Sequence, residues 1–244
     1  MQTPEDIVSI DGLQRVPLVL YDNHMDFSRL PIDRKKQKFI DLMLPSILAV
    51  KYNYDIRFNK VDRILRKLHE QGFVDHEDSV YLIAETADFN ARNWWDLRKR
   101  LKTHPVSIVI AQAAVESGWG SSRFFRTANN VFGIWSFDSD ENRIQSGAAR
   151  GNQSVFLRAY PNVAASIKDY FDVLSSGRAY RKFRNARTNT SDPLALIPHL
   201  QNYSELRSGY IRKLRTIITQ NSLSKYDSSS LSKAYTTGKD QLYF

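Results

Sequence analysis

Apolar side chains recur along the chain at helical spacing far more often than they alternate. Val61, Ile64, Leu65 and Leu68 stand at i, i+3, i+4 and i+7, which places them on one helix face. Gly72 follows where a left-handed helix cap is wanted. The same reading predicts helices over 78–89 and 91–101, then one over 106–116 with Pro105 in its first turn. Ile167, Tyr170, Phe171 and Leu174 repeat the spacing behind Asn162 as N-cap, Asp192 with Pro193 opens a short helix, and Ile211, Leu214 and Ile218 mark the last clear one. Two stretches break the period. NNVFGIWSF (129–137) and SVFLRAY (154–160) are short, aromatic and β-branched, with polar, Gly-containing sequence between them, which predicts a small hairpin-like lobe. No internal repeat is evident. From Ser222 onward the sequence is Ser-rich and polar, the composition of an appended tail with little core to bury.

The helix over 106–116 differs from the others. In VSIVIAQAAVES only Ser107, Gln112, Glu116 and Ser117 are polar. A helix apolar on nearly all sides is enclosed by the protein, and its one polar edge lines a cleft or reaches internal partners. Gln112 and Glu116 are four apart and share that edge. At the helix C-terminus the dipole and partial desolvation both raise the pKa of Glu116, which suits a general acid. Gly118 and Gly120 bracket Trp119, so the backbone can turn sharply beside the acid. Asn129, Asn130, Phe132, Gly133 and Trp135 add amides and aromatic surface, types suited to sugars, which are polar at the rim and apolar on the face.

Composition narrows the chemistry. At 244 residues, 42% hydrophobic and 25% charged, the chain has ordinary globular composition. It contains no cysteine, which removes disulfides, thiolate metal sites and cysteine nucleophiles together. His24, His69, His76, His104 and His199 are dispersed without a close ligand pair, so neither metal nor organic cofactor is expected. The apolar run from Phe39 to Val50 is interrupted by Asp41 and Pro45, and 106–115 is too short to span a bilayer. The opening MQTPEDIVSIDG lacks the regions of a signal peptide, so no leader is expected within this chain. The net charge of +9 is uneven: residues 1–141 hold 19 basic and 20 acidic side chains, residues 142–244 hold 16 and 6. Such a basic half is either a solvated face or an attraction to a polyanion. No nucleic-acid motif accompanies it, so nucleic acid is not expected as a partner.

AQAAVESGWGSSRF (111–124), NNVFGIW (129–135), AYPNVAASIKDYFDVL (159–174) and YSELRSGYIRKLRTII (203–218) together resemble, in order, the bacterial glucosaminidase domains of glycoside hydrolase family seventy-three. The resemblance is strongest to their Bax-type branch and covers roughly residues 100–220. It implies a mainly α (α+β) fold, a lysozyme-like helical lobe with a small β-lobe, preceded by a helical extension. The corresponding segments are 1–99 (extension), 100–221 (catalytic domain) and 222–244 (polar tail). It also implies cleavage of the β-1,4 bond after N-acetylglucosamine in the glycan strands of peptidoglycan. Glu116 falls on the family's catalytic acid, and Tyr203 on a tyrosine that assists from across the cleft. Gln112, Trp119, Asn130, Phe132, Trp135 and Tyr160 are the expected substrate contacts.

The stretch between the two β-lobe segments departs from the family in the second carboxylate, for which Asp138, Asp140 and Glu141 are the candidates nearest in sequence. Two-carboxylate hydrolysis needs such a partner; the alternative is assistance by the sugar's own acetamido group. Lytic transglycosylation of the same glycan also works with one glutamate, and a non-catalytic wall-binding or scaffold protein could retain the cleft. A peptidoglycan substrate implies action in the periplasm or at the cell envelope. No protein partner is indicated.

Overall fold

The computed structural model describes residues 3–21, 24–150, 153–236 and Leu242. A short strand β1 (Arg15–Val16) precedes the longest element, α1 (Ile32–Gln71), which ends at Gly72 in the left-handed conformation its spacing predicts. There follow α2 (His76–Asp88), α3 (Trp94–Leu101), α4 (Val106–Ser117) and α5 (Arg123–Ala128). Asp75, Asn93 and Ser122 cap α2, α3 and α5, each accepting from the backbone N–H three residues on.

The β-lobe is a three-stranded antiparallel sheet of β2 (Trp135–Ser136), β3 (Arg143–Arg150) and β4 (Gln153–Arg158) in the order β2-β4-β3. Helices return with α6 (Val163–Ser176), α7 (Arg181–Ala186), α8 (Pro193–Leu196) and α9 (Ser208–Gln220). Finally β5 (Ser230–Leu231) pairs in parallel with β1. The mainly helical lobe with a small β-lobe is thus the observed architecture. Among the described residues no helix is long and apolar enough to cross a membrane.

A twelve-residue stretch in the first half of α1 explains where the core sits. Every residue from Phe39 to Val50 is buried, Asp41, Pro45 and Ser46 included, so this stretch is enclosed on all sides. It packs against α4 and α6, and one continuous core cluster joins residues from all three segments read from the sequence. Helix α3 itself runs across the position 99/100 division.

The C-terminal segment differs from the expected tail. Leu223, Tyr226, Leu231 and Leu242 are buried in the same core. Its few apolar residues are widely spaced in Ser-rich sequence, so average composition hides them. Asp227 has a second role there. Helix α4 begins at Pro105, which offers no side-chain cap. Asp227 instead accepts from the Ser107 backbone N–H at 2.7 Å and from its hydroxyl at 2.8 Å. A carboxylate at this helix end is stabilising through both hydrogen bonding and the dipole.

The turn after α4 carries three successive left-handed residues, Gly118, Trp119 and Gly120. Ser117 holds it, its hydroxyl donating to the Ala113 carbonyl and accepting from the Gly120 N–H. Gly120 has φ +76, and a Cβ there would lie 2.7 Å from Phe27, 3.1 Å from Phe39 and 3.2 Å from Phe125. These three rings pack on one another with centroids 5.7–6.1 Å apart. The glycine is therefore needed for close approach as well as for its backbone angle. Gly120→Ala is expected to destabilise the fold by at least about 2 kcal/mol, from backbone strain together with overpacking. The readout is a lower urea midpoint at unchanged slope; an unmoved midpoint would contradict the role of this aromatic cage.

Candidate active site

Helix α4 delivers Glu116 to the floor of a cleft of about 420 Å³. Ala111, Gln112, Ala113 and Ala114 on the turns before it are buried, while Glu116 itself is half-buried. Burial raises its pKa, against the opposing effects of a Tyr210 hydrogen bond and the Lys213 ammonium. The carboxyl is thus biased toward its protonated form at the C-terminal end of an apolar helix.

Beneath it runs a line of buried hydrogen bonds whose direction can be assigned. Arg187 can only donate, so at 3.4 Å from Nη1 the His104 Nδ1 is the acceptor and Nε2 carries the proton. Nε2 donates to the Tyr170 hydroxyl at 2.9 Å, and Tyr170 donates to Gln112 Oε1 at 2.7 Å. Gln112 Nε2 donates to the Tyr210 hydroxyl at 3.0 Å, which leaves the Tyr210 proton for Glu116. Every donor points toward the carboxylate. Burial, then the neighbouring Arg187 and Lys51 charges, hold His104 well below its ordinary pKa, so the ring stays neutral, as this direction requires. Such chains polarise one another in a low-dielectric interior.

Aromatic surface walls the cleft above Glu116. Phe132, Gly133, Ile134, Trp135 and Phe137 lie on the β-lobe side, with Tyr180 and Tyr203 contributed by the helical lobe. Phe132 is fixed by stacking on Tyr170, centroids 4.2 Å apart, while Phe137 is 85% exposed. Tyr203 stacks on Tyr210 at 5.7 Å, and its hydroxyl lies 3.5 Å from the Phe132 carbonyl. Burial, with Tyr210 and Glu116 nearby, raises the Tyr203 pKa well above the ordinary phenol value, so it stays a neutral donor. Arg158 also reaches the cleft, held by both oxygens of Asp169 at 2.9 Å.

Of the residues read from the sequence, Glu116, Phe132, Trp135 and Tyr203 meet in this cleft. Four others are placed elsewhere. Gln112 is fully buried, with its amide engaged between Tyr170 and Tyr210; it supports the acid from below. Trp119 packs edge-on against Phe39 of α1, with the Lys36 ammonium 5.5 Å from its ring centre, because the left-handed turn directs it to the core side. Asn130 is 1% exposed and clips the loop to β4, accepting from the Ile134 N–H and donating to the carbonyls of Ile134 and Arg158. The Tyr160 hydroxyl donates to Asp169. Tyr180, Tyr210 and Arg158 were not singled out from sequence. For Tyr210 a signal existed, since a glutamine buried one turn before a buried acid needs a partner.

None of the three second-carboxylate candidates lines the cleft. Asp138 accepts from the Asp140 N–H in an exposed turn. Glu141 is held below its ordinary pKa by the Ser136 hydroxyl and by Arg158, with which it pairs at 2.8 Å. Among the described residues Glu116 is the one carboxylate on the cleft wall.

Residues 91–223 match the glucosaminidase family, described as mannosyl-glycoprotein endo-β-N-acetylglucosaminidase. Peptidoglycan hydrolase FlgJ of Salmonella typhimurium is 30% identical over 179 residues, 66% of this chain and 54% of that protein. Protein bax of Escherichia coli is 29% identical over 123 residues, 48% of this chain and 43% of that one. The chain thus spans about half the length of these curated relatives. Among solved structures, the glycoside hydrolase domain of Salmonella typhimurium FlgJ aligns with a TM-score of 0.41 at 27% identity, covering 64% of this chain and 99% of that one.

The Tyr210 hydrogen bond favours the ionised form of Glu116, so Tyr210→Phe should move its titration midpoint upward. Carboxyl ¹³C NMR reads this directly, and a midpoint that stays or falls would contradict the assigned direction of the chain. The sign for stability follows. Because the folded-state value lies above the ordinary glutamate value of 4.5, the folded protein holds this proton more tightly than the unfolded chain. Stability from this group is present below 4.5 and lost as pH rises through the folded value. In the Phe variant that loss should extend to higher pH.

Proposed function

Since the chain belongs to the glucosaminidase family, a family of glycoside hydrolases, we propose that it is a peptidoglycan hydrolase: an endo-β-N-acetylglucosaminidase that cleaves the β-1,4 bond after N-acetylglucosamine, with Glu116 as general acid. The observation that carries this reading is the half-buried Glu116, raised in pKa by burial, as the one carboxylate among the described cleft-wall residues. The substrate class is supported by the relatives that act on peptidoglycan. Action outside the cytoplasmic membrane follows from that substrate.

In this reading the sugar lies across the aromatic wall of Phe132, Trp135 and Phe137, facing Tyr180 and Tyr203. Apolar sugar faces suit such rings. Glu116 gives its proton to the glycosidic oxygen as the bond to the anomeric carbon breaks. No protein carboxylate faces it among the described residues, so the acetamido oxygen of the substrate supplies the nucleophile. The Glu116 carboxylate then takes a proton from the water that opens the cyclic intermediate, restoring the acid. Tyr203, neutral and in the same cleft, exchanges its long contact to the Phe132 carbonyl for a hydrogen bond donated to the reacting sugar. Burial raises the pKa of Glu116 and so favours the protonated form that a general acid needs.

Purified sacculi test the reading. Glu116→Gln keeps size and hydrogen bonding but has no proton to give, so turnover should fall about 10²- to 10⁴-fold while sacculus binding persists. Tyr203→Phe should lose less. Wild-type products should carry a reducing N-acetylglucosamine end. Anhydro-muramyl ends would show lytic transglycosylation instead, and inert sacculi a binding protein.

A further inference from the structure

Five arginines from two distant parts of the chain gather around one cavity. Arg92, Arg100, Arg178, Arg181 and Arg184 line a space of about 350 Å³ beside α3 and α7, with Asp96 as the carboxylate among them. Arg100 and Arg184 form the floor, 7% and 4% exposed, and the other three arginines stand at the exposed rim.

The floor is rigidly built. Arg100 gives Nε to Asp96 at 3.0 Å and Nη1 to the carbonyls of Phe89, Ser175 and Ser176, each at 3.2 Å. Arg184 gives Nη1 to the carbonyls of Leu174 and Gly177 at 3.0 and 2.7 Å. The Nη2 of each has no protein acceptor among the described residues. Asp96 is shared between Arg100 and Arg92, the latter at 3.5 Å. Arg178, Arg181 and Arg184 have no acidic partner among the described residues. Burial and the charge of Arg100 push the Arg184 pKa down to about 10.

Tying down the C-terminal carbonyls of α6 accounts for Arg100 and Arg184. It does not account for Arg178 and Arg181, which join the same cavity without a protein acceptor among the described residues. Guanidinium groups crowded with too few carboxylates repel one another, and an anion entering between them relieves that repulsion. Arginine forks match carboxylate and phosphate oxygens in pairs. The position is equally informative. Tyr180, which walls the Glu116 cleft, lies between Arg178 and Arg181 in the turn from α6 into α7. One short segment therefore serves both the cleft and the arginine cavity.

We propose that this cavity is an oxyanion-binding site whose ligand is a carboxylate or phosphate group carried by the polymer that occupies the Glu116 cleft. The choice of polymer rests on the peptidoglycan reading; the oxyanion chemistry rests on the arginines alone. The site adds affinity and register for anionic substituents of the glycan and takes no part in bond cleavage.

Isothermal titration with inorganic phosphate in roughly 150 mM chloride tests the site itself. Wild type should bind saturably, and the double variant Arg178→Gln/Arg181→Gln should bind at least about tenfold more weakly, the loss of one charge-assisted hydrogen bond. Equal binding by the two proteins, or none by either, overturns the site. Both proteins are then assayed on sacculi bearing their peptide substituents and on glycan strands stripped of them. The double variant should raise KM about tenfold on the first and leave KM on the second unchanged. Weakened phosphate binding with unaltered KM on intact sacculi would overturn the assignment to the substrate. A wild type that binds phosphate yet cuts neither glycan would contradict the peptidoglycan reading and leave the oxyanion site standing.

Discussion

Placing Gln112 and Glu116 on one edge of an otherwise apolar helix is the constraint around which this molecule is arranged. A buried amide with unmatched polar atoms costs about 1–3 kcal/mol for each, so every one must meet a partner of the right kind. Tyr170 and Tyr210 meet Gln112 from opposite sides, one giving a proton to its oxygen and one accepting from its nitrogen. Because an amide has distinct donor and acceptor ends, this fixes the direction of the whole line from Arg187 to Glu116. The acid receives the Tyr210 hydroxyl as donor from below and faces the cleft above. Its environment therefore follows from backbone and side-chain packing and involves no second acid on the cleft wall among the described residues.

The surrounding architecture serves that helix. Helix α1 and the turn at 223–226 pack on it, α6 reaches it through Tyr170, α9 brings Tyr210 alongside, and the C-terminal segment caps its first turn through Asp227. At its other end the left-handed turn closes on the Phe27, Phe39 and Phe125 rings through Gly120. Residues far apart in sequence thus converge on both termini of α4. The segments outside the family match, before residue 91 and after residue 223, supply two of the three cage rings, Phe27 and Phe39, and the Asp227 cap.

The helices were legible because their signals are local: periodic apolar residues, Asn162 and Asp192 as caps, and Gly72 at a helix end. Glu116 was legible for a related reason, since an acid ending an enclosed helix has few structural explanations. What sequence could not supply was direction in space. Trp119 and Trp135 flank NNxFG on either side, yet the left-handed turn sends one to the core and the loop clipped by Asn130 leaves the other on the cleft. Strand β3 was hidden because Arg143–Arg150 carries little β-branched or aromatic character, and its pairing with β4 decides its structure. The arginine cavity was not legible, because its members come from the loop before α3, from α3 itself, from α7 and from the turn between α6 and α7.

The pH dependence of kcat/KM on purified sacculi tests the account of a single protein carboxylate most directly, since it reports the ionisations of the free enzyme that matter. If protonated Glu116 and the acetamido group of the sugar suffice, the rate stays flat on the acid side for as long as circular dichroism shows the fold intact. It then falls through one ionisation lying above 4.5. A bell-shaped profile whose acid limb disappears in Glu141→Gln, with the protein still folded, would contradict it.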